Sequence, residues 1–302
     1  MSKTSVAAVQ MRCSADPAEN LEKAVSLVKE AAQSGANIVL LPELFERQYF
    51  CQQRNYDFYS FALPVSENPA VARMRALALE WNVVIPVSFY ERDGNALYNS
   101  AAVIDADGEL LGVYRKTHIP DDHFYQEKFY FSPGDTGFRV FETRFGRVGA
   151  GICWDQWFPE TARCLALQGA DVILFPTAIG SEPILGCDSA PHWRRVMQGH
   201  AAANIVPVAA ANRVGTERVL PNAANANQKS ALTFYGSSFL TDETGVILAE
   251  ADRESETVIL AEYDFERIRK ARLEWGLFRD RRPERYGAIC AGGGLCGDED
   301  VK

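Results

Sequence analysis

One stretch of the chain occurs twice. Gly35-Ala36-Asn37-Ile38-Val39-Leu40-Leu41-Pro42 returns as Gly169-Ala170-Asp171-Val172-Ile173-Leu174-Phe175-Pro176. Two further echoes follow in the same order. Asn82-Val83-Val84-Ile85-Pro86-Val87 resembles Asn204-Ile205-Val206-Pro207-Val208. Tyr98-Asn99-Ser100-Ala101 with Asp107-Gly108 resembles Tyr235-Gly236-Ser237-Ser238 with Thr244-Gly245. A duplicated unit of strand, helix, strand, helix, strand and hairpin is therefore predicted. Two such halves bury their apolar faces by packing sheet on sheet with helices outside. The expected fold class is α/β, a four-layer αββα sandwich with an internal pseudo-twofold repeat.

Local patterns agree with that reading. Residues 36–41 form a continuous apolar run, the mark of a strand covered on both faces. Residues 5–11 and 83–90 read as further strands. Residues 18–33 place Leu21, Ala24, Val25, Leu27 and Val28 near helical spacing, with Gly35 ending the helix. Residues 69–81 read as a second helix. Asp105-Ala106-Asp107-Gly108 joins residues 96–104 to 109–115 as a hairpin. A chain of 302 residues, 47% hydrophobic and 24% charged, has the apolar content for one large core. One domain is expected over residues 1–286. Residues 287–302, Gly-rich and acidic, are expected to be a flexible tail, which makes Cys290 and Cys296 poor candidates for chemistry.

Charge narrows the function classes. The formal net charge is −9 and the pI about 5.1. Nucleic-acid binding needs a basic face, and the one basic run is Arg279-Asp280-Arg281-Arg282. An acidic surface steers a cationic substrate, although solubility alone accounts for the charge equally well. The N-terminal residues do not read as a signal peptide, and no stretch is long and apolar enough to span a membrane. Seven cysteines without regular spacing point to free thiols in a reducing cytoplasm.

Three residues at predicted strand ends are the candidates for chemistry. Cys153 follows residues 148–152, read as a strand, and precedes residues 158–168, read as a helix beginning near Pro159. A helix N-terminus there eases ionisation of a thiol, although position alone fits a small buried hydrophobe equally. Glu43 follows the strand at 36–41, where desolvation raises a carboxylate towards the range of a general base. Its counterpart in the repeat is Thr177, so the scaffold itself does not require an acid. Lys116 ends the strand at 110–115 and, beside an acid and a thiol, would stabilise developing negative charge. The four histidines form no zinc pattern, and there is no phosphate-binding glycine loop.

The segments LLPELF, YRKTHIP and GAGICWDQWFPE around these residues resemble the nitrilase superfamily of carbon–nitrogen hydrolases, in order and spacing. The resemblance implies an αββα sandwich with Glu43 as general base, Lys116 as the cation that stabilises the intermediate and Cys153 as nucleophile. It also implies Glu127 as a second carboxylate that orients Lys116 and substrate, and the Trp154 N–H as partner of Lys116 in the oxyanion hole. Within the superfamily the similarity extends over residues 4–286 to the branch that hydrolyses N-carbamoylputrescine. That branch implies Glu182 as the carboxylate for a distal ammonium, with Tyr49, Tyr125 and Trp154 along the aliphatic part. No metal or cofactor is implied, and a homo-oligomer is. The alternatives are a β-ureidopropionase-like or aliphatic amidase activity, or a non-catalytic binding protein on this fold.

Overall fold

The computed structural model describes residues 3–183 and 186–291. Strand β1 (Thr4–Gln10) leads into α1 (Pro17–Gln33), β2 (Ile38–Leu40), α2 (Pro69–Trp81), β3 (Ile85–Asp93), β4 (Ala96–Ile104) and β5 (Leu110–Arg115). The pattern then returns. After β6 (Arg139–Thr143) come β7 (Gly146–Ala150), α3 (Pro159–Leu167), β8 (Val172–Pro176), α4 (Ala190–Asn204) and β9 (Val208–Ala211). An excursion follows that the sequence reading did not foresee, β10 (Val214–Val219) paired with β11 (Ser230–Tyr235). The chain continues through β12 (Phe239–Thr241), β13 (Ile247–Glu250), β14 (Thr257–Tyr263) and α5 (Phe265–Glu274).

One sheet runs β14-β1-β2 and continues into β3-β4-β5 through the Ile38–Val84 bridge. The other runs β6-β7-β8-β9-β12-β13. The two orders match strand for strand, with parallel pairing at the centre and antiparallel pairing at the flanks. The duplication read from the sequence is thus a property of the fold. Its first strand is the exception. β6 lies next to its own half in sequence, whereas β14 returns from the far end of the chain to close the first sheet.

Hydrogen bonds set the correspondence residue by residue. Val39 N donates to Val84 O at 2.9 Å, and Ile173 N to Pro207 O at 3.0 Å. Helices α2 and α4 both end on a left-handed residue, Asn82 (φ 52°) and Ile205 (φ 49°). The following N–H groups, of Val83 and Val206, reach back to Ala78 and Ala201. The echo in the sequence aligns Asn82 with Asn204, but the caps align Asn82 with Ile205, one residue on. Asparagine takes left-handed backbone readily, and a β-branched isoleucine takes it only when its surroundings impose it.

The layers follow from which faces are apolar. Val6, Ala8, Ile38 and Leu40 of the first sheet meet Val148, Val172, Leu174 and Ala209 of the second in one buried cluster. The outer face of the first sheet packs on α1 and α2 through Val25, Val28, Val71 and Leu77. The outer face of the second packs on α3 and α4 through Leu165, Trp193 and Met197. Each such aliphatic side chain contributes about 1.5–3 kcal/mol on burial. Both central strands are covered on two faces, so their carboxyl ends are where polar residues gather. Among the described residues no helix is long and apolar enough to cross a membrane. Gly287–Cys290 forms a short 3₁₀ turn; residues 292–302 of the expected tail lie outside the described residues.

Candidate active site

Glu43, Lys116 and Cys153 follow β2, β5 and β7, and the strand ends bring them together. Lys116 Nζ lies 2.8 Å from Glu43 Oε1 and 2.6 Å from Glu127 Oε2, with all three side chains buried. Glu127 arrives on a 3₁₀ turn, Glu127–Phe129, in the long connection between β5 and β6. Two carboxylates thus share one ammonium in a buried site. Burial works against the charged lysine, but Glu127 and Glu43 outweigh it and hold Lys116 well above its ordinary range. Burial pushes Glu127 up to about 6, with Glu43 adding to the rise against the pull of Lys116.

Cys153 is buried beside this cluster, and its Sγ lies 3.7 Å from Ala178 O. Burial, then the charge of Glu43, pushes the thiol well above its ordinary range, more than Lys116 pulls it down. This corrects the expectation of easy ionisation at a helix N-terminus. Cys153 opens a 3₁₀ turn, Cys153–Trp157, and α3 begins only at Pro159. The dipole of α3 acts within its own first turn, so desolvation beside two carboxylates prevails. The thiol therefore needs a base. Glu43 Oε2 is buried without a hydrogen-bond partner among the described residues, which leaves it open to accept a proton. Cys153 also holds φ at 40°, a strained conformation for a non-glycine residue and one concentrated at functional sites.

The remaining expected residues fall in two groups. Tyr49 is fully buried, and its hydroxyl donates to Glu127 Oε1 at 2.6 Å; it steadies a carboxylate. The Tyr125 hydroxyl accepts from Gly180 N and donates to Ser181 O, both at 3.2 Å, pinning the segment that leads to Glu182. Glu182 is half-buried, and burial followed by the charge of Asp122 raises its carboxyl; no cation acts on it among the described residues. Both Glu182 and Cys153 act on the Tyr125 phenol, which therefore lies near each of them. Trp154 is 40% exposed, with its ring 6.2 Å from that of Trp157.

Residues 5–273 match the carbon–nitrogen hydrolase family. The chain belongs to that family, whose members are amide-hydrolysing enzymes. It is 55% identical to an N-carbamoylputrescine amidase of Arabidopsis thaliana over 93% of each chain. It is 53% identical to a citrullinase of Francisella tularensis, over 96% of this chain and 99% of that one. A solved carbon–nitrogen hydrolase from Helicobacter pylori superposes with a TM-score of 0.87 at 36% identity, over 96% of this chain and 99% of that chain.

Sequence reasoning missed three residues that this hydrolase builds around the cluster. Asn99 Nδ2 donates to Glu43 Oε1 at 2.7 Å and to Glu127 Oε2 at 3.5 Å. The buried Arg213 donates to Glu43 O at 3.1 and 3.0 Å, to Leu44 O at 2.5 Å and to Glu217 Oε1 at 2.9 Å. It thereby clamps the turn in which Leu44 takes φ 48°. Glu217 Oε2 in turn accepts from Tyr49 N. Asp155, buried two residues after Cys153, accepts from Ile152 N. The one available signal was chemical. Each is a polar side chain inside an apolar segment, and a buried polar group needs a partner.

Proposed function

We propose that this hydrolase converts N-carbamoylputrescine to putrescine, carbon dioxide and ammonia, a step that supplies a polyamine. Cys153 Sγ attacks the carbamoyl carbon as its proton passes to Glu43 Oε2. The tetrahedral oxyanion meets Lys116 Nζ and the Trp154 N–H, and Glu127 holds Lys116 in place. Glu43 returns the proton to the departing ammonia. Water, deprotonated by Glu43, then cleaves the S-carbamoyl bond and regenerates the thiol. The released carbamate of putrescine loses carbon dioxide.

The observation that carries the substrate reading is Glu182. A half-buried carboxylate, raised by burial and by Asp122 and acted on by no cation, is matched by a distal ammonium. Citrulline is the second reading, favoured by the 53% identity to a citrullinase. It carries the same ureido group on a chain ending in an amine and a carboxylate. Asp122 and Glu182 favour a lone ammonium and oppose the added carboxylate. Carboxylate-bearing β-ureidopropionase substrates are opposed for the same reason. The free thiols of Cys13, Cys51, Cys153 and Cys164 support a reducing, cytoplasmic setting, and the family resemblance supports a homo-oligomer.

The test is ammonia release from N-carbamoylputrescine, citrulline and N-carbamoyl-β-alanine, compared by kcat/KM. N-carbamoylputrescine is expected to lead; a preference for citrulline transfers the assignment to the second reading. A hydrogen bond between charged groups is worth about 1.5–3 kcal/mol, so Glu182→Gln is expected to raise KM roughly 10–100-fold with kcat little changed. An unchanged KM removes Glu182 from the substrate site.

A further inference from the structure

The Asp155 carboxylate meets four polar partners. Oδ2 accepts from Ile152 N at 2.9 Å and from the Tyr114 hydroxyl at 2.7 Å. Oδ1 accepts from His118 N at 3.0 Å and pairs with His118 Nδ1 at 2.8 Å. These partners are not scattered. Ile152 immediately precedes Cys153 in the second half of the fold. Tyr114 and His118 flank Lys116, two residues to either side, in the first half. The His118 ring is itself fixed, stacked on Phe158 at 3.6 Å and 5°.

We infer that Asp155 is a positioning residue that sets the Cys153 sulfur against the Lys116 ammonium, so that both reach the same carbonyl. The His118–Phe158 stack also touches both segments, but no other hydrogen bond named above joins them. The cation needs such a tie, because it approaches from one sheet while the nucleophile approaches from the other. The left-handed Cys153 needs one as well, since its φ of 40° persists only where neighbours impose it. A carboxylate suits the task because three of its partners are donors outright and the fourth, His118 Nδ1, donates in the tautomer that carries its proton there. An amide offers one oxygen and turns an NH₂ group towards donors. The inference rests on the roles proposed above for Cys153 and Lys116.

The experiment is steady-state kinetics of Asp155→Asn on N-carbamoylputrescine, together with the pH dependence of Cys153 alkylation by iodoacetamide. A misplacement near 1 Å costs about 100-fold, and a loss of that order in kcat is expected with KM nearly constant. The alkylation profile is expected to move, because Lys116 no longer sits at its native distance from the sulfur. A carboxylate that served the fold alone would lower Tm and leave kcat and the alkylation profile of the folded enzyme as they were; that result overturns the inference. Tyr114→Phe removes a single donor and keeps the ring, so it decides the matter if Asp155→Asn does not fold. It is expected to cost roughly 3–10-fold in kcat, and native kcat overturns the inference. Cys153→Ser separates the two levels. If it turns over, the proposed chemistry falls and the inference with it. If it is inert while Asp155→Asn and Tyr114→Phe behave as native, the positioning role alone falls.

Discussion

The two halves share strand order, helix ends and register, yet differ where the strands stop. Along the paired registers Cys153 corresponds to Met11, Glu43 to Thr177, Asn99 to Gly236 and Lys116 to Arg253. In the second arrangement the polar groups are satisfied. Gln10 Nε2 donates to Asp252 O at 2.9 Å and Ser255 O at 2.8 Å, while Oε1 accepts from Ser238 N at 3.0 Å and Oγ at 2.9 Å. Around Cys153 they are not. Glu43 Oε2, Asn99 Oδ1 and Gln156 Nε2 are buried without partners. A buried amide with every bond made is what stability selects, and unmet buried groups concentrate where substrate is handled. The two strand-end arrangements of the repeated scaffold thus differ in how their buried polar groups are paired.

Lys116 and Arg253 give the largest contrast. On the proposed mechanism Lys116→Ala removes an oxyanion donor and is expected to lower kcat about 10²–10³-fold. Arg253 pairs with Asp188 at 2.8 Å with both side chains half exposed, so Arg253→Ala is expected to cost at most about 1 kcal/mol of stability. Its kcat should match the native enzyme. A comparable loss of kcat at both positions would end the claim that the strand ends at Lys116, and not their counterparts at Arg253, serve the chemistry.

Asn99 and Gly236 sharpen the comparison at smaller scale. Asn99→Ala deletes a donor shared by both carboxylates and is expected to lower kcat roughly 10-fold, since hydrogen bonds to charged groups exceed neutral ones. Gly236 holds φ at 57°, and a Cβ there would lie 2.7 Å from Gln10 Nε2 and 2.8 Å from Asp252 O. Gly236→Ala is expected to cost about 1–3 kcal/mol of stability while the folded enzyme keeps its kcat. Thermal unfolding and initial rates on the two variants read the two effects separately.

This asymmetry explains how much was legible beforehand. Repeated apolar runs such as Ile38–Leu40 and Val172–Pro176 announced both sheets, because a strand covered on two faces needs an unbroken run. Glu43 stood out against Thr177 because the scaffold tolerates either. Glu127 and Glu182 lie in connections without a matching segment, so the repeat is silent about them and only the resemblance singled them out. Asn99, Asp155 and Arg213 were illegible for another reason. Apart from Ile152 and Glu217 nearby, their partners named here are between 28 and 170 residues away in sequence, and no local spacing encodes which buried donor will meet which acceptor. The 3₁₀ turn at Cys153 escaped too. Asp155 closes it, its N–H donating to Ile152 O and its carboxylate accepting from Ile152 N, and α3 begins only at Pro159.

The smallest expected effect concerns Glu127, which has no counterpart in the second half. Its carboxyl is raised from 4.5 to about 6, by burial first, with the Lys116 and Tyr49 hydrogen bonds acting in the opposite direction. Below about 6 it is protonated and Lys116 keeps Glu43 as its only anion. The kcat/KM profile of the free enzyme is therefore expected to fall with decreasing pH through about 6. The stability linkage has the reverse sense. A carboxyl whose folded pKa is raised contributes fully below the unfolded value of 4.5 and loses that contribution as pH rises through about 6. The same protonation thus steadies the fold and impairs the site. Tyr49→Phe removes a donor that favours the charged form, so the acid limb should move to higher pH. A limb near 4.5, or one indifferent to Tyr49→Phe, would show that Glu127 does not govern the state of Lys116.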